Sequence, residues 1–293
     1  MWTFVRQHGG EGGDALVNPT IQRRRLGIAL KRAREQAGLT QDEAAATIES
    51  APSKISRIEL GQSGVRSIDL TLLMRAYGLP DAVAASMREL AKAGRQRGRW
   101  SSYREQLPAW FRTFVDLEGD ASEIRWYQAE IIPGVLQTEE YIRAILTNSG
   151  TPDEEALNQQ VRIRLERQSI LEDGTEMAYV LSESALRRMV GGPDTMRNQL
   201  VHLVELGRRP HVTVQILPFA ARTYAVSSFS FVILRFDHDS ASDVIYTENF
   251  TDADYLDRPD LVRAYTRLWD DLRAAALGPG ESRLLIEQLG DPS

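Results

Sequence analysis

Leu39-Thr40-Gln41-Asp42-Glu43-Ala44-Ala45-Ala46-Thr47-Ile48-Glu49-Ser50-Ala51-Pro52-Ser53-Lys54-Ile55-Ser56-Arg57-Ile58-Glu59-Leu60-Gly61 is the stretch whose reading decides the fold. Thr40 with Glu43 three residues on is a capping box, which starts a short helix. Ala44, Ala45 and Ile48 give that helix an apolar face small enough for close packing. Pro52 suits the first turn of a second helix, where its missing N–H is harmless. Ile55 and Ile58 point inward from that helix, and Gly61 ends it. The outward side carries small polar and basic side chains, as a probe of the DNA major groove requires.

The same signals extend to either side. Leu26, Leu30, Ala33 and Ala37 recur at helical spacing, with Gly38 as a left-handed C-cap. Ser67 is the expected cap of a fourth helix carrying Leu70, Leu72, Leu73, Met74 and Tyr77, stopped by Gly78. A fifth follows Pro80 with Val83, Met87 and Leu90. Five short helices predict a compact all-α helix-turn-helix domain over residues 21–94. Residues 1–20 read as a flexible tail without an apolar stretch long enough for a signal peptide. Residues 95–99 read as a basic linker.

Beyond the linker the texture changes. Trp100, Tyr103, Trp110, Phe111, Phe114, Trp126 and Tyr127 crowd together. Ala121, Ile124, Tyr127 and Gln128 suggest a helix, or a helix breaking into a strand. Helices are expected over 137–147, 153–172, 182–190, 193–207 and about 257–276. Strands are expected at 177–181, 212–218, 229–236 and 244–248, the last two paired across a turn. Irregular mixing of the two types predicts an α+β domain over residues 100–293.

The net charge of −6 hides an asymmetry. Residues 21–99 hold 15 Lys and Arg against 8 Asp and Glu, and residues 100–293 hold 19 against 31. A basic module fused to an acidic one places phosphate contact at one end. Without cysteine there is no disulfide and no thiolate-bound metal, which suits a reducing cytoplasm. No run of 18 apolar residues is present, so no membrane partner is expected.

The run Pro52–Glu59 resembles the Xre or lambda-repressor-like regulators, most closely actinobacterial members. The resemblance implies that Gln41 touches a phosphate. It implies that Ser53, Lys54 and Arg57 reach base edges or adjacent phosphates, with Ser56 nearby. It also implies that Glu59 is a structural acid paired with Arg34. Many such proteins carry Ser or Thr as the N-cap of the third helix, where Ala51 stands here, so Ser50 is an alternative cap. The second half resembles the antitoxin-like C-terminal domain of the same regulators, a family that includes WhiJ-like members encoded beside a small partner protein. The residues that carry this are Trp126, Ile132-Pro133-Gly134-Val135-Leu136-Gln137-Thr138 with Tyr141, Arg164, Arg167-Gln168, Glu183, Leu186-Arg187, Gln199-Leu200, Val212-Thr213-Val214 and Phe229-Ser230-Phe231.

No catalytic motif stands out. His8, His202, His211 and His238 lack metal-ligand spacing, and neither a phosphate-binding glycine loop nor Gly-x-Ser-x-Gly occurs. Asp252, Asp254 and Asp257 lack the glycine and terminal glutamate of a calcium loop and read as an exposed acidic loop. Arg162, Arg164 and Arg167 with Glu166 read as a charged helix face, and Glu183 with Arg187 as an i,i+4 pair. No enzyme activity, cofactor or metal is expected. The expected partners are a double-stranded operator DNA, a second copy of the chain, and either an effector or a small cognate protein from a neighbouring gene. The alternative is an antitoxin that neutralises such a protein and autoregulates its operon. The aromatic segment Trp100–Trp126 is the favoured place for a protein interface, against simple burial in the core.

Overall fold

The computed structural model describes residues 21–61, 63–94, 107, 109–148, 153–222, 228–236, 243–249 and 252–290. The expected tail 1–20 and linker 95–99 lie outside the described residues. The described chain divides by its internal packing into a helical unit, residues 21–120, and a sheet-containing unit, residues 121–235 with 243–290.

The helical unit contains α1 (Ile21–Gln36), α2 (Gln41–Thr47), α3 (Pro52–Glu59), α4 (Ser67–Ala76), α5 (Asp81–Ala93) and α6 (Ala109–Asp120). The capping box is formed, with Thr40 Oγ1 accepting from the Glu43 N–H and Glu43 Oε2 accepting from the Thr40 N–H. Gly38, Gly61 and Gly78 have φ of 72°, 69° and 65°, the left-handed caps expected of them. Leu26, Leu30, Ala45, Ile55, Leu70 and Leu73 are central in the core. Gly27 sets how closely α1 approaches α3, because a Cβ there would lie 2.5 Å from the carbonyl oxygens of both Ile58 and Glu59.

Three local expectations need correction. Arg66, not Ser67, is the N-cap of α4, and Ser67 is the first helical residue. Ala51 is the N-cap of α3 without a side-chain bond, so Ser50 does not cap it. Leu72 and Val83 are exposed; α5 buries Met87 as expected, together with Ala84 and Ala91. Small residues on that face let α5 lie close to α1, which a stripe of larger side chains would prevent.

The second unit is built on one mixed sheet. Its strands are β1 (Glu123–Gln128), β2 (Glu176–Ser182), β3 (Val212–Leu217), β4 (Phe231–Arg235), β5 (Val244–Glu248) and β6 (Ala253–Leu256), in the spatial order β3-β2-β1-β4-β5-β6. The pairs β1–β2 and β2–β3 are parallel; β1–β4, β4–β5 and β5–β6 are antiparallel. Parallel neighbours need long crossovers. These contain α7 (Glu139–Asn148) and α8 (Glu154–Arg167), then α9 (Glu183–Arg187) and α10 (Pro193–Leu206). α11 (Pro259–Ala275) and α12 (Pro279–Gly290) end the described chain. Trp269 and Leu272 of α11 are buried in one core with Tyr127, Val180, Phe231 and Ile233 from one face of the sheet.

The pattern at 121–128 resolves as strand. β1 pairs on both edges, so it is a central strand, and Ile124 and Trp126 on one face and Tyr127 on the other are all buried, so both faces are covered. The acidic stretch is not a loop alone, because Ala253–Leu256 form the edge strand β6, with Asp252 and Asp254 exposed. Phe111, Phe114, Trp126 and Tyr127 are buried, so these members of the aromatic segment are core and not an open interface. Trp100 and Tyr103 lie outside the described residues.

Candidate nucleic-acid interface

α3 is fixed from behind by a buried ion pair. Arg34 Nε donates to Glu59 Oε1 at 2.6 Å, and Arg34 Nη2 donates to Oε2 at 3.1 Å. Arg34 Nη1 also donates to the Leu39 carbonyl at 2.7 Å, which holds the turn between α1 and α2. The Arg34 side chain is 9% exposed and that of Glu59 3%. The hydrogen bond to Glu59 raises the Arg34 pKa further above its ordinary value, so the guanidinium stays charged. Burial, with Glu59 nearby, pushes the Tyr77 phenol up to about 12. The structural acid expected at position 59 is therefore in place.

With Ile55, Ile58 and Glu59 turned inward, helical geometry puts Ser53, Ser56 and Arg57 on the opposite face and Lys54 on its flank. Ser53 and Arg57 are exposed and Ser56 is half-buried. Arg57 holds no ion pair among the described residues. Gln41, the first residue of α2, donates from Nε2 to Glu59 Oε2 at 2.9 Å. That amide nitrogen carries a second hydrogen beyond this bond.

Lys54 is engaged differently. Its Nζ lies 2.9 Å from Asp69 Oδ2, and its side chain is 29% exposed. Arg66 donates to the same carboxylate from Nε and Nη2 at 3.0 and 2.9 Å. The bonds from Arg66, then those from Lys54, hold the Asp69 carboxyl below its ordinary pKa against the effect of burial. Sequence reading named Lys54 but missed Arg66 and Asp69. The spacing Arg66-x-x-Asp69 was the available signal, but the link to Lys54 spans 15 residues and is tertiary.

The second unit gathers residues that the sequence left scattered. Gln199 Nε2 donates to the Leu136 carbonyl and its Oε1 accepts from the Thr138 N–H, both at 2.7 Å. Gln168 Nε2 donates to the Gln137 carbonyl at 2.6 Å, and Gln137 Nε2 to the Ile132 carbonyl at 2.7 Å. Thr138 Oγ1 accepts from the Tyr141 N–H at the start of α7. The Pro133–Thr138 run is thus a short 3₁₀ turn, Gly134–Leu136, leading into a helix and pinned by glutamines. Glu183 pairs with Arg187 as expected and also accepts from the Phe219 N–H at 2.8 Å. The charged face on α8 is only partly a solvated one. Arg162 and Glu166 are exposed, but Arg167 is buried with its guanidinium 5.9 Å from the Trp126 ring centre. Burial, with Arg167 adjacent, lowers Arg164 to about 10. Among the described residues no group of three or more His, Asp or Glu side chains could hold a metal ion. No helix among them is long and apolar enough to cross a membrane.

Comparison with known proteins follows the two units. Residues 25–87 match a family described as a helix-turn-helix domain. Residues 111–288 match one described as a domain of unknown function, DUF5753. No curated protein matches the chain. The DUF5753 match covers more than half of the chain, which therefore belongs to that family, with a helix-turn-helix domain ahead of it.

Proposed function

We propose that this chain is a sequence-specific DNA-binding transcriptional regulator that reads operator DNA with α3. One observation carries the reading: α3 is locked into the core by Glu59 and Arg34 while Ser53 and Arg57 are exposed on its outer face. A fixed helix with an exposed guanidinium suits two-point recognition of guanine. The excess of basic residues over 21–99 supplies the attraction to phosphate. One such module buries limited area, so a homodimer reading two half-sites belongs to the proposal.

In this reading the acidic second domain binds a partner protein or an effector and takes no direct part in DNA contact. The resemblance to Xre-type regulators with an antitoxin-like domain supplies the candidate, a small protein encoded by a neighbouring gene. The chain acts by binding, not by catalysis, and works in the cytoplasm.

The test is selection of duplexes from random-sequence DNA by the full chain, followed by titration of wild type and Arg57→Ala. Arg57→Ala should weaken the selected duplex by about 1–3 kcal/mol and relax the preference at one base position. Failure of the wild type to enrich any sequence would refute the proposal. Light scattering with and without the neighbouring gene's product tests the second domain. A chain that is monomeric and ignores that product leaves the effector as the second domain's ligand.

A further inference from the structure

Lys54 and Arg66 share one oxygen of one buried carboxylate. Asp69 lies in the first turn of α4 with its side chain 2% exposed. Its Oδ2 accepts from Lys54 Nζ at 2.9 Å and from Arg66 Nε at 3.0 Å, so those two nitrogens are at most about 6 Å apart. Its Oδ1 accepts from Arg66 Nη2 at 2.9 Å.

A bidentate arginine already neutralises Asp69 and meets both its oxygens. Adding Lys54 leaves the cluster with one positive charge in excess, and holds two cations where they repel. That excess is the charge complement of a single phosphodiester. The donors are also in the right state. An ammonium has three N–H groups and a guanidinium five. One of the former and two of the latter are given to Asp69. The Arg66 side chain is 71% exposed, so its remaining N–H groups reach solvent. Lys54 sits on the flank of the α3 face that carries Ser53 and Arg57, so the cluster borders that face.

We propose that Lys54 and Arg66, organised by Asp69, form a phosphate-binding site beside α3 that takes one phosphodiester of the DNA backbone. Asp69 is its positioning residue. The proposal rests on the reading of the first unit as DNA-binding. It divides the work: Lys54 and Arg66 fix the register of the domain on the duplex, and Arg57 with Ser53 reads bases.

The experiment measures the Kd of the full chain against potassium chloride concentration, on a duplex selected by the wild type and on a scrambled duplex of equal length. Each phosphate contact contributes about 0.9 to the slope of log K against log salt. Arg66→Gln should make the slope shallower by about 0.9 and weaken both duplexes alike, by about eightfold at 0.1 M salt. Arg66→Lys, which keeps the charge, should restore most of the slope. Asp69→Asn removes a negative charge beside the phosphates, so electrostatics alone would tighten binding; a positioning role predicts weaker binding to both duplexes.

An unchanged slope in Arg66→Gln, or tighter binding by folded Asp69→Asn, would overturn the proposal. If Asp69→Asn loses its helical circular dichroism, the two exposed Arg66 variants decide the matter alone. Wild type that binds neither duplex would instead overturn the DNA-binding reading itself. Wild type that binds while Arg66→Gln is silent removes only the phosphate site.

Discussion

Glu59→Gln should destabilise the helical unit by about 3–5 kcal/mol, the cost of breaking a buried ion pair from one side. Glu59 accepts three hydrogen bonds, two from Arg34 and one from Gln41. Glutamine preserves the shape but offers one acceptor and one donor. An N–H of Arg34 then faces an N–H of residue 59, and a guanidinium whose side chain is 9% exposed loses its counter-charge. A domain of this size has about 5–15 kcal/mol in total, so about a fifth or more of it is at stake. At about 4–8 °C per kcal/mol the melting temperature should fall by more than about 12 °C. Hydrogen exchange resolved by peptide is the suitable assay, because it separates α1–α3 from the second unit, and a single melting curve of a two-domain chain does not. Amides of α1 and α3 should lose protection while those of β1–β4 keep it. The double variant Arg34→Met, Glu59→Leu should recover most of the loss, since apolar replacement removes both desolvation penalties. A Glu59→Gln cost under about 1 kcal/mol, or a double variant as poor as the two singles added, would refute the account of α3 as anchored by this pair.

Gly27→Ala and Gly119→Ala should move stability in opposite directions in urea melts. At Gly27 the new Cβ meets two backbone carbonyl oxygens at 2.5 Å, an overlap costing about 1–3 kcal/mol that outweighs the helix-propensity gain of at most about 1 kcal/mol. At Gly119 in α6 nothing lies within 4 Å, so Ala should stabilise by up to about 1 kcal/mol. Gln199→Ala leaves the Leu136 carbonyl and the Thr138 N–H without partners in the second unit, at about 1–3 kcal/mol each, and loss of protection around α7 in hydrogen exchange is the check. Asp69 has a depressed pKa in the folded state, so its stabilisation is fully present above the ordinary carboxylate range and is lost as pH falls through the folded value. Melting temperatures of wild type and Asp69→Asn should therefore differ at pH 7 and converge in acid; a gap that stays constant would argue against the cluster.

Local chemistry determined the first five helices of the helical unit, while α6 was not among the helices the sequence led us to expect. A capping box at Thr40 and Glu43, left-handed glycines at 38, 61 and 78, and a proline at the start of α3 act within a few residues of themselves. Boundaries and the inward face of α3 were therefore legible, and so was the Arg34–Glu59 pair, through resemblance. The strands at β2, β3, β4 and β5 were legible for the same reason, as runs of alternating or continuous apolar residues. Tertiary structure decided what depends on distant partners. The strand at β1 was not separable from a helix, because Trp126 and Tyr127 are buried in succession on opposite faces of a central strand and break the alternation that Glu123, Ile124 and Arg125 begin. Sheet order and the parallel pairs follow from the long crossovers between Gln128 and Glu176 and between Ser182 and Val212, which leave no local mark. β6 is four residues of mixed polarity at an edge, too short and too exposed for a pattern. The cation pair on Asp69 exists only because α3 and the start of α4 meet in space. Lys54 reads in sequence as one more basic residue on a recognition helix, and only the fold shows that it shares a carboxylate with Arg66.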